Sequence, residues 1–288
     1  MPFDNKIVNG QTPERIRALC QLVEYSSYTK DELLTLLQPP ALNKKNDMAK
    51  SCYSFALKGK LIIEHEQGDH KVVSSGMTKH TAQDPIRFRR KIIRNAHQQP
   101  DLVFHRFTAW ALGRGQEIMT YKSEKLVSEF FSDVTSKTIG SGLSNEDRNR
   151  EYNSTNTIGW MNWASYLGFG FVHKGSFLVN PALRIEEELK FDGHLTKDTP
   201  IPFRDFMTWL AQSIPELDGG IYYAQIYPER KDSQQLSYAL STGLRSLHTK
   251  GLINLNHTKD AGDVWHLTSS KLHEVASAVT DITIVGGQ

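Results

Sequence analysis

Cysteine is nearly absent from this 288-residue chain. Cys20 and Cys52 stand alone, in no Cys-x-x-Cys pair, which argues against a zinc ribbon and against a disulfide framework. Long apolar runs are missing too. No window approaches the roughly 18 continuous apolar residues of a membrane helix, so no membrane partner is expected. The opening "MPFDNKIVNGQTPERIR" has no basic segment followed by an apolar one. No secretory signal is expected from it, and the expected compartment is the cytoplasm, in association with the nucleoid. A charge balance of one sign is also lacking, since the net charge is only +2. What remains is 39% hydrophobic and 23% charged, the composition of a soluble globular protein, with length enough for two or three domains.

The small net charge hides an uneven distribution. Residues 1–100 hold sixteen Lys+Arg against ten Asp+Glu, residues 101–195 ten against twelve, and residues 196–288 eight against ten. The basic excess is confined to the first third, and such asymmetry speaks to partners rather than to fold.

Local signals are strongest in that same third. Thr12 with Pro13 predicts a helix start, and Ile16, Leu19, Cys20 and Val23 follow at helical spacing. Thr29 and Glu32 fit a capping box for a short, largely buried helix carrying Leu33, Leu34, Leu36 and Leu37, which Gln38-Pro39-Pro40 ends. A third helix is predicted from about Asn46 to Lys58, with Met48, Cys52, Phe55 and Ala56 inward. Gly59 is expected just beyond it with positive φ, and a hairpin of Leu61–Glu66 with Lys71–Ser75 around Gly68-Asp69. The helix–glycine–hairpin ending returns twice. One copy has a helix ending near Leu167, Gly168, and strands Phe169–His173 and Ser176–Val179. The other has Gly251 and strand Leu252–Asn256, expected to pair with Val264–Leu267. The expected organisation is therefore mainly α with small β-hairpins (α+β), in three domains at residues 2–83, 100–195 and 200–287. A basic linker helix at 84–99 starts at Asp84-Pro85.

Three helices and a hairpin are the order of a winged helix-turn-helix, and the chain resembles that superfamily in three segments. The resemblance implies that the third helix of the first segment meets double-stranded DNA in the major groove. The candidate DNA-binding residues are Lys44, Lys45 and Asn46 at its start, Lys50, Ser51, Ser54 and Lys58 on its outer face, and His70 and Lys71 on the hairpin. Arg87, Arg89, Arg90 and Arg94 of the linker helix join them as phosphate contacts, with Arg245 in the third segment. The competing reading of each is a solvated basic surface. Trp160, Met161, Trp163 and Tyr166 suit either a protein interface or a core.

Chemistry-bearing motifs are weak. Asp101 with Glu188-Leu189-Lys190 spells the letters of a metal-dependent nuclease, but the acids lie far apart in the chain. Gly140-Ser141-Gly142 lacks the Gly-Lys-Ser/Thr that completes a phosphate loop, and His65 and His70 read as surface histidines. No cofactor, no metal and no enzymatic activity are expected.

A narrower resemblance rests on "TPERIRALCQLVEYSSYTKDELLTLLQPPALN" and "FALKGKLIIE", with Pro39-Pro40-Ala41-Leu42 its most particular part. These stretches are similar to DpdG-type accessory proteins of bacterial gene clusters that install 7-deazaguanine derivatives in DNA and act in defence. That resemblance implies a DNA-associated accessory protein without an active site, working with other proteins of the same system, with a homodimer allowed for. The alternatives are an adaptor subunit of an ATPase or nuclease complex, in which tandem winged helices dimerise, and a transcriptional regulator.

Overall fold

The computed structural model describes residues 2–3, 10–41, 45–68, 70–137, 154–193, 195–230, 233–269 and 277–286. The fold is α+β, helices with small antiparallel sheets. It divides into two compact units. The first is Met1–Phe104 with Asn145–Leu167, and the second is His105–Ser144 with Gly168–Gln288.

In the first unit, α1 (Pro13–Tyr25) starts at the Thr12 cap and buries Ile16, Leu19, Cys20 and Val23, the stripe read from the sequence. Strand β1 (Tyr28–Thr29) leads into α2 (Lys30–Leu37) through a complete capping box. Thr29 Oγ1 accepts from Glu32 N, and Glu32 Oε2 accepts from Thr29 N at 2.8 Å. The Thr29 N–H and then the Thr29 hydroxyl, which donates to Oε2 at 2.9 Å, hold the Glu32 carboxyl below its ordinary pKa. Leu33 and Leu34 are buried, but Leu36 is 51% exposed, so α2 is less enclosed than its leucines suggest. Helix α3 (Asp47–Lys58) buries Ala49, Cys52, Tyr53, Phe55 and Ala56, while Met48, expected inside, is exposed. The residue with positive φ after α3 is Lys60, not Gly59, whose φ is −75°. Gly59 is needed for a different reason, because a Cβ there would collide with the Phe3 ring. Strands β2 (Ile62–Gln67) and β3 (His70–Ser75) form the expected hairpin, and β1 adds to β3 to give the sheet order β1-β3-β2.

Helix α4 (Pro85–His97) begins where Asp84 Oδ1 accepts from Ile86 N at 2.8 Å. It is not a linker. Phe88, Ile92, Ile93 and Ala96 are buried, and Asn95 Nδ2 donates to Gly59 O at 2.7 Å, which ties α4 to the end of α3. Helix α5 (Val103–Arg114) crosses from one unit to the other, and α6 (Ser123–Lys137) follows. Helix α7 (Ser154–Tyr166) belongs to the first unit. Trp163 stacks on Phe55 of α3, centroids 4.9 Å apart, and its Nε1 donates to Gln11 O at 2.7 Å. The division therefore departs from the three expected segments. Trp163 of α7 packs on α3 in the core of the first unit, while the hairpin that follows α7 belongs to the second unit.

That hairpin, β4 (Gly170–His173) with β5 (Ser176–Val179), turns at Lys174-Gly175, both at positive φ, as two-residue turns between antiparallel strands require. Helix α8 (Ala182–Phe191) follows. Strand β6 (Pro200–Pro202) leads to α9 (Phe203–Ser213), α10 (Ile221–Ile226) and α11 (Tyr238–Thr249). Helix α9 buries Phe203, Phe206, Met207 and Leu210, and α11 buries Leu240, Leu244 and Leu247. Strand β7 (Ile253–Asn256) does not pair with Val264–Leu267. It pairs with β10 (Asp281–Ile284), Leu255 opposite Ile282 and Ile253 opposite Ile284. Those four apolar side chains are buried on one face, a match that residues 264–267 do not offer. Strand β10 is central, in the order β6-β10-β7, while β8 (Trp265–His266) pairs with β9 (Ala278–Val279).

Asp218 is buried before α10 and accepts from Ser237 N and Ser237 Oγ, both at 2.7 Å. Burial raises its pKa, against the lowering effect of the Ser237 hydrogen bonds. The folded chain thus holds this proton more tightly than the unfolded chain does. Asp218 accordingly contributes stability that is full below about pH 4, the ordinary carboxylate value, and is lost as pH rises through the raised one. Asp218→Asn, which cannot ionise, is expected to lack this part of the slope in urea midpoints taken from about pH 4 to 7. Parallel profiles for the two proteins would contradict the assignment.

Candidate nucleic-acid interface

Helix α3 presents its outer face through simple periodicity. Asp47, Lys50, Ser51, Ser54 and Lys58 are spaced by three, one, three and four residues, so they share one side of the helix. Lys50 and Lys58 are exposed and Ser54 is half-buried, but the Ser51 Oγ is enclosed, so Ser51 is not placed to meet DNA. The opposite face is fixed by Phe55, Cys52 and Tyr53 against the rest of the first unit. Cys52 Sγ lies 3.3 Å from Gly10 O, and burial pushes its thiol pKa up to about 11, so it is a packing residue rather than a nucleophile.

The start of the helix is held by Gln38, the residue after α2. Its Nε2 donates to Lys45 O at 2.7 Å and its Oε1 accepts from Ala49 N at 3.1 Å. One carboxamide thus latches the α2–α3 turn on both sides. Lys45 is exposed and Asn46 is half-buried. Asn46 occupies the N-cap position without a capping side-chain bond. Lys44 lies outside the described residues. Nothing in the sequence pattern marked Gln38, since its role depends on where α3 comes to rest.

On the hairpin, His70 and Lys71 are exposed, but acids accompany them. Glu66 lies 4.0 Å from Lys71, and Glu64 accepts from the Tyr53 hydroxyl. Burial first, then this hydrogen bond, raises the Tyr53 pKa. Lys30 sits over the Tyr53 ring, 5.0 Å from its centroid. The basic character therefore resides on α3 more than on the hairpin.

The four arginines of α4 divide. Arg94 is exposed in the last turn, and Arg87 is 61% exposed with Asp84 3.4 Å away. Arg89 is half-buried over the Tyr166 ring at 5.6 Å. Arg90 is buried, at 9% exposure, and is not placed to meet a phosphate. In the second unit Arg245 needs the same correction. It is buried at 3% exposure, and its Nη1 donates to Thr268 O at 2.7 Å. The inward stripe of α11 includes it, because Ser241 and Arg245 are one turn apart and both face inward.

Other sequence motifs separate into structural roles. Trp160, Met161 and Trp163 are buried, so they form a core and not an exposed protein interface. Glu188 pairs with Arg184 at 2.5 Å, and Lys190 pairs with Glu186 at 2.6 Å, one turn apart along α8. Gly140-Ser141-Gly142 lies outside the described residues. Among the described residues no helix is long and apolar enough to cross a membrane.

A family model described as DpdG-like matches residues 6–261. No curated protein and no solved structure matches the chain.

Proposed function

The chain belongs to the DpdG-like family, and from that premise we propose that it is a DNA-binding protein with no chemistry of its own, the DNA-recognition component of a bacterial DNA-modification or phage-defence system. The observation that carries this reading is the order α1-β1-α2-α3-β2-β3 with sheet order β1-β3-β2, which we take as a winged helix. Its third helix turns Lys50, Ser54 and Lys58 outward. A helix of this diameter fits the major groove, and lysines there displace counterions from phosphates. The winged-helix reading is kept for residues 12–75. In the second unit β6 precedes α9, α10 and α11, and β10 supplies the strand opposite β7, a different arrangement.

Lys45, Lys50, Lys58 and Arg94 offer about four phosphate contacts. At a slope near −0.9 per contact, duplex affinity is expected to fall roughly 10²-fold between 50 and 200 mM salt. Lys45→Glu/Lys50→Glu/Lys58→Glu should weaken binding to every duplex and flatten that slope. Asn46→Ala, if the amide reads a base edge, should relax preference at one position by about 1–3 kcal/mol. Fluorescence anisotropy at the two salt concentrations reads all of these. Salt-insensitive binding that is equal in wild type and triple variant would sink the proposal and favour an adaptor role.

A further inference from the structure

The second unit contains a cleft of about 600 Å³ that the DNA reading does not use. Its wall depends on two glycines around Arg114. A Cβ at Gly113 would collide with the Tyr227 ring, and one at Gly115, whose φ is +60°, would press on Tyr238. Both tyrosines line the cleft. Tyr227 donates its hydroxyl to Trp110 O at 2.9 Å, which fixes the ring and leaves an aromatic surface rather than a free phenol.

One cation is positioned at this surface. The Arg230 guanidinium lies over the Tyr227 ring at 5.2 Å from its centroid. Its Nη1 sits 3.3 Å from the Tyr223 hydroxyl and 3.4 Å from Gly113 O. Among the described residues no carboxylate lies within ion-pair distance of it, and the buried Asp218, which lines the second cavity, acts on it only across space. The other cations of the region are neutralised. Arg114 pairs with Asp133 at 2.5 Å and with Glu117 at 2.6 Å, and Arg204 pairs with Asp263 at 2.9 Å. A second cavity of about 310 Å³ shares Arg230, Ser233 and Gln235 with the first and adds the indole of Trp265. Arg230 therefore stands between two spaces that each have an aromatic wall and hydrogen-bonding amide or hydroxyl groups.

Volumes of roughly 300–1,000 Å³ with a few convergent polar groups suit small ligands. A guanidinium fork prefers phosphate or carboxylate, and aromatic faces prefer planar rings. We propose that this cleft binds a nucleoside monophosphate, its phosphate on Arg230 and its base against the tyrosine-lined wall. The exposed carboxylate of Glu229, beside Arg230 and on the cleft lining, opposes the phosphate and gives the proposal a second handle of opposite sign.

The test is calorimetric titration of the full chain with the four nucleoside 5′-monophosphates, the parent nucleosides and inorganic phosphate. At least one monophosphate is expected to bind with Kd below about 1 mM, ~10-fold or more tighter than its nucleoside and than inorganic phosphate, the factor that one charge-assisted contact supplies. Arg230→Ala should cost ~10-fold or more. Glu229→Gln should tighten binding ~2–3-fold by removing a nearby like charge. The triple glutamate variant of α3 should bind nucleotide as wild type does, which separates this site from the DNA interface. No binding at about 5 mM by the folded chain overturns the proposal. So does inorganic phosphate binding as tightly as nucleotide, which marks a simple anion site, or an unchanged affinity in both Arg230→Ala and Glu229→Gln.

Discussion

Trp163→Ala is expected to lose about 3–5 kcal/mol of the stability of the first unit, the range for truncating a large buried aromatic side chain. Trp163 is fully buried. Its removal takes away the stack on Phe55, the edge contact with Tyr166 and the Nε1 hydrogen bond to Gln11 O. The stack and the hydrogen bond join α7 to α3 and to the residue before the α1 cap, while the Tyr166 contact lies within α7. Trp163→Phe keeps a ring in the stack but not the hydrogen bond, and should cost less, about 1–2 kcal/mol with the lost volume included. Urea unfolding with a far-ultraviolet readout measures both. A loss under about 1 kcal/mol for the alanine variant would mean that α7 does not complete the core beneath α3, and the two-unit division would fail with it. On the proposed DNA-binding role the effect should also reach duplex affinity, because Phe55 is on the helix that carries Lys50 and Ser54. The alanine variant should bind duplex more weakly than wild type near its unfolding midpoint, yet keep the wild-type salt slope, since no phosphate contact has been removed.

Ile282→Asp should be at least as damaging to the second unit. Ile282 is fully buried in the central strand β10, opposite Leu255 on one side and Ile201 on the other. An aspartate there must either ionise in an apolar setting or pair its carboxyl with nothing, and a loss of about 4 kcal/mol or more is expected. Thr283 is the control. It points to the other side of the sheet, and its Oγ1 accepts from Asn256 Nδ2 at 3.2 Å. Thr283→Ala should cost about 0.5–1.5 kcal/mol, the net worth of one hydrogen bond. The contrast between neighbouring positions tests the register directly. Were β7 paired instead with residues 264–267, both substitutions would be mild.

The N-terminal helices were readable in the sequence because their signals are local. The Thr12-Pro13 start, the Thr29–Glu32 capping box and the Asp84-Pro85 start each need only a few residues of one segment, and each appears where expected. The same holds for the apolar stripe of α1. Which surface covers a stripe is a different matter. Periodicity names the apolar face of a helix but not its partner, so the Trp163 indole of α7 could not be assigned to the core of residues 1–104. The strand pairing failed for a related reason. Residues 264–267 are nearer to β7 in the chain, but the buried alternation of Ile282 and Ile284 is the better complement to Leu255 and Ile253.

Arginine misled most. Arg90 and Arg245 read as polar letters on an outer face, yet both are buried, and the long stem of Arg245 allows this because the Thr268 carbonyl accepts from its head. Among the candidate DNA-binding residues, Lys50 and Lys58 were legible because helical spacing alone turns them away from Phe55. The Gln38 latch and the cleft at Arg230 were not, because each is made by residues that only the tertiary structure brings together. The sequence by itself determined where helices begin, which faces are apolar and where the basic excess lies. Only the tertiary structure decided which apolar faces meet, because burial is a property of two surfaces and a sequence segment describes one.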